Sequence, residues 1–259
     1  MKLIRYFIIS ILFLFFLISA FTIAFFKAPG LHVRRAMYKI DENDPEEAIR
    51  ICEWVLKYNP GYSLAYHRLG LAYTMKGELD KAIASFKKAV ELEVNVIFYQ
   101  QSLGIAYAQA GKYKGAMPQL KYCLTLDPED PPTLYTLGTI YSDLGENDKA
   151  ESFYKKAISI SPDEPAYHFE LGRLYYQMKE YNKAEEEYKK ALSASPTDPY
   201  YQYHLAELYY SMGKYEQAYT AITVALSSKS DLNGARELHN QIIKKCPEKQ
   251  IKAVGNIRK

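Results

Sequence analysis

Residue types that build reactive or metal-binding sites are scarce in this chain of 259 residues. Its three cysteines, Cys52, Cys123 and Cys246, are too few and too scattered for a disulfide framework. The five histidines show no ligand spacing with cysteines or carboxylates, so we interpret them as isolated surface or groove residues. The motifs HExxH, GxSxG and GxGxxG do not occur. These absences make an enzyme the least favoured class and predict neither a metal nor a cofactor.

A large excess of charge of one sign is also missing, because 33 Lys and Arg stand against 30 Asp and Glu. Positive charge gathers at the two ends: residues 1–39 carry six basic residues and no acid, and residues 244–259 carry six against Glu248. The rest of the chain is net acidic, without the basic face typical of nucleic-acid binders. The basic ends instead suit contact with anionic lipid head groups.

Long apolar runs are limited to one, at the N-terminus. Residues 6–26 contain 21 residues without a charge and follow Lys2 and Arg5. That length spans a bilayer as a helix and predicts a transmembrane anchor within residues 1–28. A cleaved signal peptide is the alternative, but the run is long for one and Thr22, Ile23 and Ala24 form a poor cleavage site.

Two sequence signals disagree about the side of the membrane on which the rest of the chain lies. Basic residues flank the run on both sides, and their count favours the cytoplasmic side. A short basic head directly before the apolar run is instead typical of bacterial signal anchors that export the domain attached to them. We expect an extracytoplasmic or periplasmic array, and the cytoplasmic orientation stays open.

A 34-residue step organises most of the remaining sequence. In residues 131–164 a first helix face carries Leu137, Gly138 and Tyr141, and Gly145 marks a turn. A second face comes after the turn, and Pro162 ends it by removing an N–H. Counting Pro131 as position 1, the markers of this unit are Leu134, Leu137, Gly138, Tyr141, Ala150, Tyr154, Ala157 and Pro162. Their equivalents elsewhere are Leu69, Gly70, Tyr73, Ala82, Phe86 and Ala89; Leu103, Gly104, Tyr107, Ala116, Leu120, Cys123 and Pro128; Leu171, Gly172, Tyr175, Ala184, Tyr188, Ala191 and Pro196; and Leu205, Ala206, Tyr209, Ala218, Ile222 and Ala225.

This pattern resembles the tetratricopeptide repeat. The resemblance implies an all-α fold, a right-handed superhelical α-solenoid of helix-turn-helix repeats. The transmembrane helix predicted from the apolar run precedes this solenoid at the N-terminus. Five repeats fit residues 63–96, 97–130, 131–164, 165–198 and 199–230. Residues 29–62 read as a degenerate first repeat, residues 231–245 as a capping helix and residues 246–259 as a basic flexible tail. Because Arg35 and Lys39 replace expected apolar markers, we expect an exposed connection there rather than a packed helix.

Several side chains are assigned to packing. The tyrosines at position 11 should place their rings between helices and their hydroxyls in water or against the backbone. Cys52 and Cys123 occupy apolar core positions. The run of residues 185–187, three glutamates, reads as a solvated helix face.

The resemblance also implies a concave groove lined by positions 2, 5, 9, 12 and 13 of each first helix. Aromatic residues accumulate there toward the C-terminal half, as binding surfaces favour. The alternative is that these rings only complete the packing between adjacent first helices. The candidate partner-binding residues are Phe98, Gln101, Tyr135, Thr139, Ser142, Phe169, Arg173, Tyr176, Tyr200, Tyr203, Glu207 and Tyr210.

The sequence therefore predicts a membrane-tethered protein–protein interaction scaffold. It would bind an extended or helical segment of a protein partner in the groove and help assemble or stabilise a membrane-associated complex. A structural, self-assembling homo-oligomer is the alternative function.

Overall fold

The computed structural model describes residues 29–245, which form thirteen helices and contain no strand. The predicted anchor (residues 6–26) and the predicted tail (residues 246–259) lie outside the described residues, and both stay predictions. No helix between residues 29 and 245 is long and apolar enough to cross a membrane. The all-α prediction is confirmed for this part of the chain. The described residues divide into two compact units, and the boundary lies between Leu126 and Asp127.

Unit 1 contains three helix pairs in its described part. They are α1 (Pro29–Asp41) with α2 (Pro45–Tyr58), α3 (Ser63–Met75) with α4 (Leu79–Leu92), and α5 (Ile97–Gln109) with α6 (Tyr113–Leu126). Unit 2 contains three further pairs and a last helix. They are α7 (Pro131–Asp143) with α8 (Asn147–Ile160), α9 (Pro165–Gln177) with α10 (Tyr181–Ala194), α11 (Pro199–Ser211) with α12 (Tyr215–Ser228), and α13 (Ala235–Lys245).

Local sequence signals set where the helices begin and end. The carboxylates of Asp44, Asp130 and Asp198 accept backbone N–H groups in the first turns of α2, α7 and α11. Each of these helices has proline at its start, where the missing N–H costs nothing. As predicted, α8 ends two residues before Pro162.

The turn inside each pair requires a left-handed residue. Glycine supplies it at Gly77, Gly111, Gly145 and Gly213, with φ between 68° and 75°. The equivalent residue between α9 and α10 is Lys179, which adopts φ 61° without being glycine.

The two helices of a pair meet at a small residue. In α7 an added Cβ at Gly138 would lie 2.7 Å from the Tyr154 ring, and in α9 one at Gly172 would lie 2.6 Å from the Tyr188 ring. Both rings are almost fully buried. The predicted close approach at these markers is therefore present.

The expectation of an exposed connection before α2 is wrong. Residues 29–41 form helix α1, whose Val33 and Ala36 are buried against α2 and α3. Ala36 stands at position 8, where the other repeats have glycine or alanine, and it packs against Cys52. Arg35 is exposed and pairs with Glu47, so this helix needs no apolar residue at that position.

Helix α13 packs on α12 through Leu238 and Ile242, which are buried. It begins at Ala235 rather than at the predicted Asp231, because residues 231–234 form a turn that contains Gly234 at φ 76°. The last helix thus covers the apolar side of the preceding pair, as an end repeat requires.

Candidate partner-binding surface

The candidate residues of unit 2 lie on its three first helices, α7, α9 and α11, which we call the first-helix face. Contacts join these helices to one another. The Tyr135 ring lies 5.1 Å from Tyr167, and the Tyr176 and Ser211 hydroxyl oxygens are 2.9 Å apart. The face thus brings together residues that the sequence separates by about one repeat.

Phe169 forms the floor of this face rather than an exposed ring. Only 5% of it is exposed, and it packs against Tyr188, Tyr201 and His204 with ring centroids 4.7–5.6 Å apart. A partner would reach little of this side chain.

Tyr200 stands above that floor. Its ring meets Phe169 edge-on at 6.2 Å and His204 at 5.2 Å, yet 55% of the residue is exposed. The same arrangement occurs in unit 1, where Phe98 is 44% exposed and meets His67 edge-on at 5.0 Å. Position 2 therefore supplies the exposed ring, and position 5 of the preceding repeat supplies the ring beneath it.

Two polar pairs on the face each lie within one helix. Arg173 Nη1 donates to both carboxylate oxygens of Glu170 at 3.0 Å, and the Tyr203 hydroxyl donates to Glu207 Oε1 at 2.8 Å. Burial raises the pKa of Glu170, while Arg173 opposes that change. Burial and the bond to Glu207 raise the pKa of Tyr203 to about 12. Tyr203 stays a hydroxyl donor at neutral pH.

The remaining candidates are partly covered. Burial raises the pKa of Tyr135 to about 12, and the buried Tyr154 donates its hydroxyl to Thr139 Oγ1 at 3.2 Å. Tyr210 packs on Tyr215 with centroids 5.7 Å apart. Ser142 on α7 and Gln101 in unit 1 are half-buried.

Two histidines are core residues rather than surface or groove residues, which corrects the sequence interpretation. His67 is 4% exposed; burial, with a smaller effect of Arg68, lowers its pKa to about 3. His168 is also buried, with Nδ1 at 2.6 Å from Glu187 Oε2 and Nε2 at 2.9 Å from the Pro162 carbonyl oxygen.

The same pair corrects the interpretation of the three glutamates as a solvated face. Glu187 is buried against His168, and Glu185 receives hydrogen bonds from Tyr209 and Lys214. Only Glu186 is well exposed. The position-11 hydroxyls of Tyr175 and Tyr209 thus bind carboxylates, Glu151 and Glu185, rather than water or backbone.

The sequence carries a signal for part of this network at position 4. Gln100, His168 and Gln202 each place a side-chain nitrogen 2.7–3.1 Å from the carbonyl oxygen six residues earlier. A polar residue that recurs at position 4, just after the loop between two repeats, therefore indicates a side-chain hydrogen bond to a carbonyl oxygen of that loop. The recurrence of a polar residue at position 4 is a signal that the sequence interpretation missed, whereas the contact of His168 with Glu187 is apparent only in three dimensions.

The first-helix face presents aromatic rings, hydroxyls, one guanidinium and carboxylates. Between residues 29 and 245 no group of three or more His, Cys, Asp or Glu side chains is placed to hold a metal ion.

Comparison with known families rests on the same repeats. One model for the tetratricopeptide repeat matches residues 107–168, 145–203 and 175–242, and another matches residues 63–95. The chain belongs to the tetratricopeptide repeat family. A comparison with curated protein sequences found no match.

Several solved structures are similar in fold to this chain. The Cut9–Hcn1 hetero-tetramer of APC/C matches at a TM-score of 0.77 and 20% identity, over 84% of this chain and 43% of that chain. PilW, a widely conserved type IV pilus biogenesis factor, matches at 0.73 and 18%, over 81% and 97%. MamA matches at 0.53 and 30%, over 62% and 94%. This chain spans less than half of the Cut9–Hcn1 chain, and at 18–20% identity the first two matches show the fold alone.

Proposed function

We propose that this tetratricopeptide repeat protein is a membrane-tethered scaffold that holds a segment of a partner protein on the first-helix face of unit 2. Residues 6–26 supply the tether, and the repeats lie on the extracytoplasmic side. Binding rests on burial of aromatic ring surface, oriented by a few polar contacts, and it stabilises a membrane-associated complex.

The observation that carries this proposal is the exposed Tyr200 ring on a buried aromatic floor. Phe169 and His204 fix its position from below, so a partner side chain that packs on it finds a preorganised surface. An exposed tyrosine held in this way has the properties of a binding hot spot: large apolar area, few rotatable bonds and a hydroxyl at the rim.

The polar groups support an orienting role. Arg173 and Glu207 are each part-exposed, at 40% and 31% of their side chains, while Glu170 and Tyr203 already hold them. Both side chains are already ordered, so contact with a partner would cost little further side-chain conformational entropy.

Site-specific photocrosslinking in cells tests the surface. A photoreactive amino acid placed at Tyr200 should capture one protein, and the matched control at Tyr122, an exposed tyrosine on the second helix α6, should not capture it. Arg173→Glu in the Tyr200 background should reduce the adduct about tenfold, because it leaves Glu170 facing a second carboxylate. Equal capture from Tyr122, or an adduct indifferent to Arg173→Glu, is incompatible with the proposal.

The tether and its side are tested separately. Full-length protein should stay in the membrane fraction after alkaline extraction, and added protease should cleave the repeats in intact spheroplasts. Release by alkali contradicts the tether, whereas cleavage only after lysis contradicts the extracytoplasmic side. Light scattering of the detergent-solubilised chain addresses self-assembly, the alternative function, because a monodisperse monomer excludes it.

A further inference from the structure

An aromatic cluster lies at one end of the first helix pair, where α1 begins and α2 ends. Trp54 on α2 has its ring centroid 4.4 Å from His32 and 5.1 Å from Tyr58. Pro29, the first residue of α1, shares with Trp54 and Tyr58 the lining of a cavity of about 270 Å³. We call Trp54, Tyr58, His32 and Lys57 the aromatic end of unit 1.

The aromatic end is open to solvent and carries positive charge. Tyr58 is 54% exposed, and Lys57 places its ammonium 5.9 Å from the centre of that ring. Arg34, also exposed, lies five residues after Pro29 on α1, about 7.5 Å further along the helix axis. The exposed acid on this part of α2 is Glu53. Aromatic rings with a polar edge, accompanied by basic side chains, are the groups that membrane–water interfaces enrich.

The length of chain before α1 places this end close to the predicted membrane boundary. The apolar run stops at residue 26, and Pro29 lies three residues later. Three residues reach at most about 10 Å when fully extended. That distance is comparable to the thickness of one head-group layer, about 5–8 Å.

We propose that the aromatic end of unit 1 sits in the head-group layer of the membrane and contacts anionic lipid through Lys57 and Arg34. This inference rests on the tether in the proposed function and adds an orientation to it. The Pro29 end of α1 faces the lipid, and the opposite end, at Asp41, points away from it. The lipid contact then fixes the orientation of unit 1 relative to the membrane, so that unit 1 does not rotate freely about the tether.

The sequence contains a single tryptophan, so the intrinsic fluorescence of the protein reports on the surroundings of Trp54. Full-length protein is reconstituted into phosphatidylcholine–phosphatidylglycerol vesicles in a three-to-one ratio, with or without bromine near the top of the acyl chains. Bromine quenches tryptophan only at short range, so Trp54 emission should fall to about half in brominated vesicles if the ring is interfacial.

A matched control moves the tryptophan along the same helix pair. In the double variant Trp54→Tyr with Asp41→Trp the probe lies at the far end of α1, about 20 Å from Pro29, and its emission should be unchanged. Equal quenching at both positions overturns the end-on orientation. Lys57→Glu with Arg34→Glu should reduce Trp54 quenching to the level seen in phosphatidylcholine alone.

Flotation of the same vesicles separates the two claims. Protein that floats with unquenched Trp54 keeps the tether and overturns the lipid contact. Protein that does not float overturns both. Emission that is insensitive to bromine but changes with the protein-to-lipid ratio assigns the aromatic end to a second copy of this chain and likewise overturns the proposal.

Discussion

Gly138 on α7 lies directly against the ring of Tyr154 on α8, so that a Cβ at residue 138 would stand 2.7 Å from Cδ1 and 2.8 Å from Cε1. Tyr154 cannot easily move away, because it is 1% exposed and its hydroxyl donates to Thr139. In the pair α11 and α12 the two equivalent positions hold different residues. Ala206 stands at the glycine position and Ile222 at the tyrosine position, and both are fully buried.

Replacing Gly138 by alanine should therefore destabilise unit 2 by about 1–3 kcal/mol, because overpacking outweighs the better helix propensity of alanine. Thermal unfolding followed by circular dichroism of the full chain in detergent measures the loss. Adding Tyr154→Ile, which copies the Ala206–Ile222 combination, should recover part of it, so the double variant should be more stable than the two single effects predict. Strict additivity would show that Gly138 and Tyr154 are not coupled.

The left-handed turn residue gives a prediction of opposite sign. Lys179 adopts φ 61°, a conformation that costs a residue with a Cβ about 1–2 kcal/mol. Lys179→Gly should raise stability by about 0.5 kcal/mol, since the extra backbone freedom of glycine in the unfolded chain offsets much of the relief.

The matched control for this turn is the reverse change in the preceding pair. Gly145 has φ 75° and open space around its missing Cβ, so Gly145→Lys should destabilise through the backbone alone, by about 1 kcal/mol. The two changes together leave the composition of the chain unaltered. A thermal midpoint that falls for Lys179→Gly would mean that the lysine side chain makes a stabilising contact.

These two sites also show what the sequence makes predictable. The 34-residue spacing located Gly138, Tyr154 and Gly145 correctly, because a small residue at a close approach and a glycine at a positive φ follow from local geometry. Helix α1 was missed because Arg35 and Lys39 occupy marker positions, although Ala36 at position 8 was the informative residue.

The side-chain environment of the first-helix face was harder to predict. Tyr135, Phe169 and Tyr203 share position 5, yet Phe169 alone among them is buried, because Tyr201 and His204 of the next first helix cover it. The buried His168–Glu187 pair joins residues 19 apart on two helices. Both features depend on neighbours that the repeat pattern does not specify.

Glu185 predicts a dependence of stability on pH. Burial acts to raise the pKa of this carboxyl, but hydrogen bonds from Lys189, Lys214 and Tyr209 outweigh it and hold the pKa at about 2, below the ordinary 4.5. A lowered pKa contributes stability that is complete above the unfolded value and is lost as the pH falls through the folded value. The contribution should therefore disappear between about pH 5 and pH 2.

Glu185→Gln should lower the stability of unit 2 by about 1–2 kcal/mol at pH 7, discounted from the full shift because the carboxylate is partly solvated. The difference from the unaltered protein should shrink toward zero as the pH approaches 2. Glu186→Gln is the control, since this exposed neighbour pairs only with Lys190 and should change stability little at any pH. A Glu185→Gln deficit that is constant from pH 7 to pH 2 would rule out an electrostatic origin.

The edge-on ring pair of Phe169 and Tyr200 should separate the effects of substitution on stability from those on binding. Phe169→Ala removes a ring that is 5% exposed and should cost about 3–5 kcal/mol, visible as a lower thermal midpoint with or without a partner. Tyr200→Ala removes a ring that is 55% exposed and should change stability by less than about 1 kcal/mol while abolishing capture of the partner found by photocrosslinking. Loss of capture by Phe169→Ala would therefore say little about contact, because the floor beneath Tyr200 is lost with it. If Tyr200→Ala binds normally and instead lowers the thermal midpoint as much as Phe169→Ala does, the ring serves packing between adjacent first helices, and the partner segment contacts another surface.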